Sequence, residues 1–318
     1  MITKQIHLAI KELEAGKLVA IPTETVYGLA ANAFNETAIN SIFKLKQRPK
    51  NNPLIVHVKS IDSLESIVNT IPNKAKQLAK QFWPGPLTLI LPKNPNLSQT
   101  ITAGKDTVAV RLPNHPLTLE LLNKIDFPLV APSANPYQGI SPTNANHVQR
   151  YFVEEELGII LDGGPCEEGL ESTIVGFYDD QVIIYRLGTI SIEAIEKCVG
   201  KVSIQNENNS NPEAPGMHTK HYAPCKPSNL TSDIQTTLLD HPDKKIGIIT
   251  FQDKYQAPNI TKQIQLSPTG DLKEASQILY QAMHEMDSSD VDLILFEPVP
   301  NYDLGISIND KLNRATKK

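Results

Sequence analysis

The sequence predicts an α/β protein whose two domains are joined by a linker. Short apolar runs alternate with segments of helical periodicity, a pattern typical of α/β and α+β folds. A polar, proline-containing stretch from Gln205 to Gly216 interrupts that pattern. The 318 residues are enough for a sizeable core and for more than one domain. We therefore assign residues 1–203 to a first domain, 204–228 to a linker and 229–318 to a second domain.

The first domain contains eight short apolar runs punctuated by Gly and Pro, which predict strands. They span residues 17–22, 53–58, 87–91, 108–112, 127–131, 157–161, 172–175 and 182–186. Apolar residues at helical spacing predict helices between several of these runs. The helices span residues 3–15, 36–46, 61–69, 73–82, 116–123 and 191–198.

The second domain repeats the order strand, helix, strand, helix, which predicts a small parallel sheet. These elements span residues 245–251, 272–286, 291–296 and 306–315. No G-x-G-x-x-G follows its first strand, so dinucleotide binding is not predicted. Before this domain, Met217 to Pro224 concentrates hydrogen-bonding and basic groups that a passive connector does not need.

Composition argues for a small-molecule enzyme rather than a general nucleic-acid binder. The net charge is −5, and phosphate affinity depends on the number of Lys and Arg contacts. No apolar run is long enough to span a membrane, and the N-terminus lacks the apolar region of a signal peptide. The three cysteines form no C-x-x-C pair, which argues against a structural zinc site or a disulfide framework. We expect a cytosolic protein without membrane contact.

Several segments carry groups suited to binding, although each also has an ordinary structural explanation. The segments Pro22–Gly28 and Ala131–Asn135 place hydroxyl and amide groups after predicted strands, where ligands bind in α/β sheets but where caps and turns also form. Four positive charges in residues 44–50 suggest an anion site, or simply complement a helix dipole.

Two charged or titratable residues fall inside predicted strands. His57 could be a core residue or a ligand of the substrate. Arg111 needs an anionic partner if buried, either a structural glutamate or a substrate carboxylate. The Gly-rich loop from Leu161 to Val175 lacks the Lys-Ser/Thr of a P-loop, and nothing in the sequence pairs Cys166 with a base. We predict no metal site made of protein ligands.

Taken in order, these segments resemble one family, the long, two-domain threonylcarbamoyl-AMP synthases of the Sua5/YrdC group. The resemblance covers nearly the whole chain. The matching motifs are Pro22-Thr-Glu-Thr-Val-Tyr-Gly-Leu29, Lys46-Gln-Arg48, Asn52-Pro-Leu-Ile-Val-His57, Phe82-Trp-Pro-Gly-Pro-Leu-Thr88, Ser133-Ala-Asn135, Gly169-Leu-Glu-Ser-Thr-Ile174, Gly216-Met-His-Thr-Lys-His-Tyr-Ala-Pro224 and Leu304-Gly-Ile-Ser-Ile-Asn-Asp-Lys-Leu-Asn-Arg-Ala315.

The resemblance implies a twisted, mostly parallel YrdC-like sheet domain with a concave cavity, followed by a smaller Rossmann-like domain. It implies that L-threonine, bicarbonate and ATP form threonylcarbamoyl-AMP, pyrophosphate and water, for threonylcarbamoyladenosine modification of tRNA. It also implies Mg²⁺ bound mainly by the ATP phosphates. Its partners would be the tRNA threonylcarbamoyl-transfer proteins, with weak or indirect contact to tRNA itself.

The resemblance also implies roles for individual residues. No catalytic residue is assigned; Lys46 and Arg48 would position and neutralise the triphosphate, and Arg111 would bind the threonine carboxylate. Residues implied to bind threonine are Thr25, His57, Arg111, Ala131 and Ser172. Residues implied to bind ATP are Lys46, Arg48, Asn52, Thr107, Ser133, Asn135, Ser141, Arg186 and, closing over the nucleotide, Tyr222. We expect Glu167 and Glu168 to face away from the anionic ligand.

Two other functions share parts of this pattern. A carbamoyltransferase of the hydrogenase-maturation type would have a similar first domain, but would also carry an acylphosphatase-like segment and C-x-x-C zinc fingers, which this sequence lacks. A double-stranded RNA-binding module without catalysis is disfavoured by the acidic balance of the chain.

Overall fold

The computed structural model describes residues 1–152, 157–207 and 212–317. The strands are β1 (Ile2–Thr3), β2 (Val19–Ile21), β3 (Gly28–Asn32), β4 (Ile55–His57), β5 (Leu87–Pro92), β6 (Thr107–Arg111), β7 (Leu129–Val130), β8 (Ile159–Leu161), β9 (Thr173–Tyr178), β10 (Gln181–Arg186), β11 (Ser203–Ile204), β12 (Ser228–Leu230), β13 (Ile246–Thr250), β14 (Ile260–Gln265) and β15 (Leu293–Phe296). The α-helices are α1 (Ile6–Glu14), α2 (Glu36–Lys46), α3 (Asn73–Phe82), α4 (Gln99–Thr102), α5 (Pro116–Lys124), α6 (Ala145–Tyr151), α7 (Ile192–Val199), α8 (Ile234–Leu239), α9 (Leu272–Asp287) and α10 (Leu304–Thr316).

Two sheets organise the described residues. The larger has the strand order β1-β8-β2-β3-β7-β4-β6-β5-β9-β10-β11, and the smaller has the order β12-β15-β13-β14. In the described parts, five neighbouring pairs of the larger sheet are parallel and five are antiparallel. All three pairs of the smaller sheet are parallel. The predicted α/β class is confirmed, and parallel pairs predominate over the two sheets together.

Short connections explain some of the antiparallel pairs in the larger sheet. Strands β9 and β10 are joined by Asp179 and Asp180, both of which have positive φ (44° and 63°). A two-residue turn of that conformation matches the twist of a hairpin and reverses the chain direction. Parallel strands would need a longer crossover connection.

Elements absent from the sequence prediction are short or weakly patterned. Strand β3 has the sequence Gly-Leu-Ala-Ala-Asn and is formed by pairing with β2 and β7 rather than by β propensity. Strand β14 is half-exposed and polar at alternate positions. The helix predicted over residues 61–69 is a 3₁₀ turn over Asp62–Ser66.

The segment predicted as a linker is only partly a connector. Residues 208–211 lie outside the described residues. Past this gap, Ala214 and Met217 are fully buried and pack on the larger sheet against Ile55, Ile90 and Ile174. The chain therefore crosses the face of the first sheet before it enters the second domain.

Helices α9 and α10 join the second domain to the first. Lys311 on α10 is fully buried and donates a hydrogen bond to the backbone oxygen of Leu187 at 2.7 Å. On α9, His284 stacks on His147 with ring centroids 3.8 Å apart. Gly169 of the Gly-rich loop lies so near α9 that an added Cβ would be 2.4 Å from the backbone oxygen of Gln277.

Replacing Gly169 by Ala should destabilise the protein through this close approach. Gly169 has φ of +73°, so Ala costs about 1–2 kcal/mol for its backbone conformation alone. Steric overlap with α9 should add about 1–3 kcal/mol. The matched control is Gly164→Ala in the same loop, which has φ of +82° and nothing within 4 Å of the added Cβ. Thermal unfolding of both variants measures the difference, and equal melting temperatures would contradict the close contact.

Candidate active site

A cavity of about 560 Å³, including its open part, lies on the larger sheet beneath the chain segment of residues 212–224, which we call the covering loop. Strands β4, β6, β7, β9 and β10 contribute residues at or near their ends. Nine of the fourteen residues implied by the resemblance line it: Thr25, Arg48, His57, Arg111, Ala131, Ser133, Ser172, Arg186 and Tyr222. Lys46, Asn52, Asn135 and Ser141 lie behind the wall, each at most 1% exposed.

Arg111 ends β6 and has the anionic partner that its burial requires. Its Nη2 atom lies 2.6 Å from Oε1 of Glu24, with both side chains 5% exposed. The contact is an ion pair rather than a well-directed hydrogen bond, whereas Nη1 donates to the Thr25 hydroxyl at 3.0 Å. Among the described residues Nε has no hydrogen-bond acceptor, whereas Nη2 is occupied by its contact with Glu24. The Nε–H group is therefore the unpaired donor of this guanidinium, and it can bind a ligand carboxylate.

The partner of Arg111 was left open by the sequence, which allowed a structural glutamate or a substrate carboxylate. Glu24 is that glutamate, and its second oxygen accepts the Asn114 backbone N–H at 3.0 Å. It lies between two threonines of the Pro22–Gly28 segment, so the segment supplies both the ion pair and the hydroxyl that orient the guanidinium.

His57 lies beside Arg111 because β4 and β6 are parallel and pair these two residues in register. Burial and the charge of Arg111 lower the pKa of His57 to about 3, so its imidazole is neutral at neutral pH. Its Nδ1 atom is buried and has no hydrogen-bond partner among the described residues. His57 lines the cavity, and a neutral imidazole can hydrogen-bond a ligand, which favours the ligand interpretation over a satisfied core residue.

Arg48 lies just after α2, and hydrogen bonds to the following loop hold its side chain in place. Its side chain donates to the Asn52 side-chain oxygen at 2.5 Å and to the Pro53 backbone oxygen at 2.8 Å. Burial lowers the pKa of Arg48 to about 10, which leaves the side chain charged at neutral pH. Its charge therefore faces the cavity in a fixed position.

Lys46 has a different environment from the one the sequence suggested. Its ammonium group donates to the backbone oxygens of Ser133, at 2.6 Å, and of Asn135, and does not line the cavity. Burial, followed by the nearby charge of Arg48, lowers the pKa of Lys46 well below its usual value. The lysine thus supports the turn that carries Ser133 rather than facing the cavity directly.

Arg186 connects the implied ATP-binding residues to the implied threonine-binding residues. Its Nε donates to the Ser172 backbone oxygen at 3.0 Å, and its Nη2 donates to the Ser172 hydroxyl at 2.8 Å. Ser172 is implied to bind threonine and Arg186 to bind ATP, so the two implied subsites meet at this pair. Thr107 lies apart, at the opposite end of β6 from Arg111, and does not line the cavity.

The covering loop places two rings over the cavity. Tyr222 is 1% exposed with φ of 63°, and its ring lies 5.3 Å below the Lys311 ammonium and stacks on Tyr280. The adjacent His221 is also buried and donates its backbone N–H to Arg314 of α10 at 3.2 Å. The second domain therefore fixes the loop in the position that covers the cavity.

The remaining candidates of the Gly-rich loop take no part in the cavity. Burial raises the pKa of the Cys166 thiol far above its usual value, so it is protonated and a poor nucleophile. Glu167 is exposed and Glu168 half-buried, and neither is among the described lining residues. Glu171 does line the cavity, and sequence reasoning missed it; the signal was a carboxylate next to Ser172 in the Gly169–Ile174 motif.

Two family models match successive parts of the chain. One is described as telomere recombination, for the Sua5, YciO and YrdC group, and matches residues 11–188. The other is described as the C-terminal domain of threonylcarbamoyl-AMP synthase and matches residues 190–316. The chain belongs to the threonylcarbamoyl-AMP synthase family. The family and the fold class predicted from the motifs are thereby confirmed.

Individual relatives of the threonylcarbamoyl-AMP synthase family match over both domains. The Bacillus subtilis enzyme is 38% identical, with 98% of this chain and 92% of that protein aligned. The Pyrococcus abyssi enzyme is 38% identical, over 98% of this chain and 94% of that protein. The crystal structure of Pyrococcus abyssi Sua5 complexed with L-threonine superposes with a TM-score of 0.90 at 38% identity, covering 98% of this chain and 94% of that one. The protein is therefore an enzyme of this family rather than a binding module alone.

None of the described helices combines the length and apolar character that crossing a bilayer requires.

Glu24→Gln should destabilise the protein because it removes the charge that compensates Arg111. Breaking a buried ion pair by neutralising one partner costs about 3–5 kcal/mol. The control is Glu12→Gln, whose partner Lys17 is 64% exposed and whose loss should cost less than about 1 kcal/mol. Urea unfolding followed by circular dichroism gives both values. A Glu24 variant as stable as the Glu12 variant would mean that the cavity does not depend on this pair.

Proposed function

We propose that the protein condenses L-threonine, bicarbonate and ATP into threonylcarbamoyl-AMP, pyrophosphate and water, and so supplies the activated group for threonylcarbamoyladenosine in tRNA. The observation that carries this proposal is a single cavity lined by the buried residues Arg48, Arg111 and Arg186 and by neutral His57. Guanidinium groups suit both a carboxylate and phosphates, the anionic groups of these substrates. We place the reaction in the cytosol, which the three free cysteines fit.

Threonine is proposed to bind at the Arg111 end of the cavity. Its carboxylate would accept a hydrogen bond from the unpaired Nε donor of Arg111, and its polar groups would face Thr25 and His57. The solved relative from Pyrococcus abyssi, complexed with L-threonine, supports threonine as a substrate. Ala131 and Ser172 are proposed to complete this pocket, which they line.

ATP is proposed to bind toward Arg48 and Arg186, beneath the covering loop. Both arginines are 7% exposed, and electrostatic interactions with phosphates are stronger where water is excluded. Ser133 faces the same cavity, while Lys46, Asn52, Asn135 and Ser141 support its wall. Thr107 stays a predicted ATP contact on the strand that also carries Arg111.

We further propose Mg²⁺ as the cofactor, bound mainly by phosphate oxygens of ATP. Among the described lining residues the cavity contains one carboxylate, Glu171, whose two oxygens already accept hydrogen bonds. That environment fits an ion that keeps waters and phosphate ligands rather than one enclosed by protein groups. When bound, Mg²⁺ would offset phosphate charge.

The chemistry requires positioning more than proton transfer by the protein. The threonine amine and bicarbonate form a carbamate with loss of water, and a carbamate oxygen then bonds to the α-phosphorus while pyrophosphate leaves. The arginines neutralise charge on the reacting groups, and the covering loop excludes water. No covalent enzyme intermediate is needed. Transfer of the product to tRNA is proposed to involve separate transfer proteins, with weak or indirect contact between this chain and tRNA.

The proposed reaction predicts pyrophosphate release that needs all three substrates. Purified protein with Mg²⁺, ATP, threonine and bicarbonate should release pyrophosphate, and leaving out threonine or bicarbonate should abolish the release. A coupled phosphate assay measures it, and mass spectrometry identifies the adenylate. Release that does not depend on threonine would refute the substrate assignment.

Tyr222→Ala should lower turnover strongly because it removes the ring that closes the cavity. Loss of water exclusion and of nucleotide positioning should reduce kcat/KM for ATP by about 10²-fold. The control is Tyr178→Ala, because Tyr178 is 67% exposed at the end of β9. Equal rates for the two variants would show that Tyr222 is not part of a lid.

A further inference from the structure

A carboxylate lies inside the cavity among the arginines. Glu171 is 4% exposed and lines the cavity together with Arg48 and Arg186. Its Oε1 atom accepts a hydrogen bond from the Ser141 hydroxyl at 2.6 Å. Its Oε2 atom accepts one from the Tyr280 hydroxyl at 2.7 Å. Because a buried carboxylate otherwise pairs with nearby cations, these two donors determine which way Glu171 points.

One of the two donors comes from the second domain. Tyr280 lies on α9 and is fully buried. Burial, together with the neighbouring Glu171, raises the pKa of Tyr280 well above its usual value. The hydroxyl is therefore protonated at neutral pH, and it must be the donor in its hydrogen bond with the carboxylate.

The same face of α9 also contacts Ser141, the other hydrogen-bond donor to Glu171. His284 lies four residues after Tyr280, so the two side chains project from one side of the helix. Its Nε2 atom donates to the backbone oxygen of Ser141 at 3.1 Å. Ser141 is thus bound by α9 twice, directly at its carbonyl and through Glu171 at its hydroxyl. The ring of Tyr280 also stacks on Tyr222 of the covering loop, with centroids 5.6 Å apart.

We propose that Glu171 is a positioning residue of the ATP subsite and that the second domain controls it through the Tyr280 hydroxyl. When the hydroxyls of Ser141 and Tyr280 both donate to it, the carboxylate does not bind the arginines. The arginines can then bind the phosphates of ATP. Without the Tyr280 hydroxyl, a free carboxylate oxygen competes with phosphate for Arg186, whose guanidinium binds Ser172, the residue next to Glu171. This inference rests on the proposed binding of ATP in this cavity and gives the second domain a role in nucleotide affinity.

The variant Tyr280→Phe tests the proposal because it removes the hydroxyl and keeps the ring that stacks on Tyr222. Isothermal titration with Mg²⁺-ATP, and separately with threonine, gives both affinities. We expect Kd for ATP to rise about tenfold, the effect typical of losing a hydrogen bond to a charged group. We expect Kd for threonine to stay unchanged, because the described side-chain contacts of Tyr280 are with Glu171 and Tyr222 and not with the Arg111 end of the cavity.

The matched control is Tyr255→Phe, which removes a hydroxyl that donates to Glu297 at 2.9 Å within the second domain. It should change neither affinity. If Tyr280→Phe binds ATP as tightly as wild type, or loses ATP and threonine affinity equally, the proposal is overturned. A cycle with Glu171→Gln adds a second readout: the two substitutions should be non-additive in ATP affinity, and additive effects would also overturn it.

The outcome can be separated from that of the proposed function. Wild-type protein that binds ATP but releases no pyrophosphate with threonine and bicarbonate would contradict the proposed reaction, and a selective effect of Tyr280→Phe would still support the role of Glu171. A wild type that releases pyrophosphate, with a Tyr280 variant of unchanged ATP affinity, would contradict only the role of Glu171.

Discussion

The structure depends on burying several positive charges beneath one loop. Arg48, Arg111 and Arg186 line the cavity, Lys46 lies just behind it, and none of the four is more than 7% exposed. Each buried cation needs acceptors, since desolvation of an unpaired charge costs several kcal/mol. The surrounding chain supplies them from the Glu24 carboxylate, the Ser172 hydroxyl and the backbone oxygens of turns. The arrangement of the site follows from this requirement.

The buried positive charges are only partly compensated by protein groups, which suits the binding of anionic substrates. Arg111 is paired with Glu24 and Thr25 but retains an Nε–H group without an acceptor in the described part of the chain. Lys46, by contrast, has acceptors in the backbone of the Ser133–Asn135 turn. The arginines can therefore exchange protein contacts for substrate contacts, whereas the lysine maintains the shape of the wall. This division fits the planar, multiply donating guanidinium and the compact ammonium group.

The second domain completes the site rather than merely following it in the chain. Its helices α9 and α10 contribute Tyr280, Lys311 and Arg314, which contact Glu171, Leu187 and the covering loop. Before the second domain begins, the chain crosses the face of the larger sheet, where Ala214 and Met217 are buried. The covering loop is thus bound on one side by the first sheet and on the other by α9 and α10.

The sequence by itself determined the α/β class, most of the long elements and the family, because apolar periodicity and ordered motifs are local properties of the chain. Elements such as β3, whose Gly-Leu-Ala-Ala-Asn sequence has little strand propensity, required knowledge of their neighbours. The same limit applied to the site. Motifs assigned Arg111 to threonine binding and Lys46 to ATP binding. Only tertiary structure decided that Glu24 pairs with Arg111 and that backbone carbonyls accept hydrogen bonds from Lys46. Only tertiary structure brought Tyr280 to Glu171, since that contact spans 109 residues between two domains. Charge compensation depends on which side chains are buried and which partners they meet. Both depend on residues far apart in the sequence, so neither can be derived from spacing along the chain.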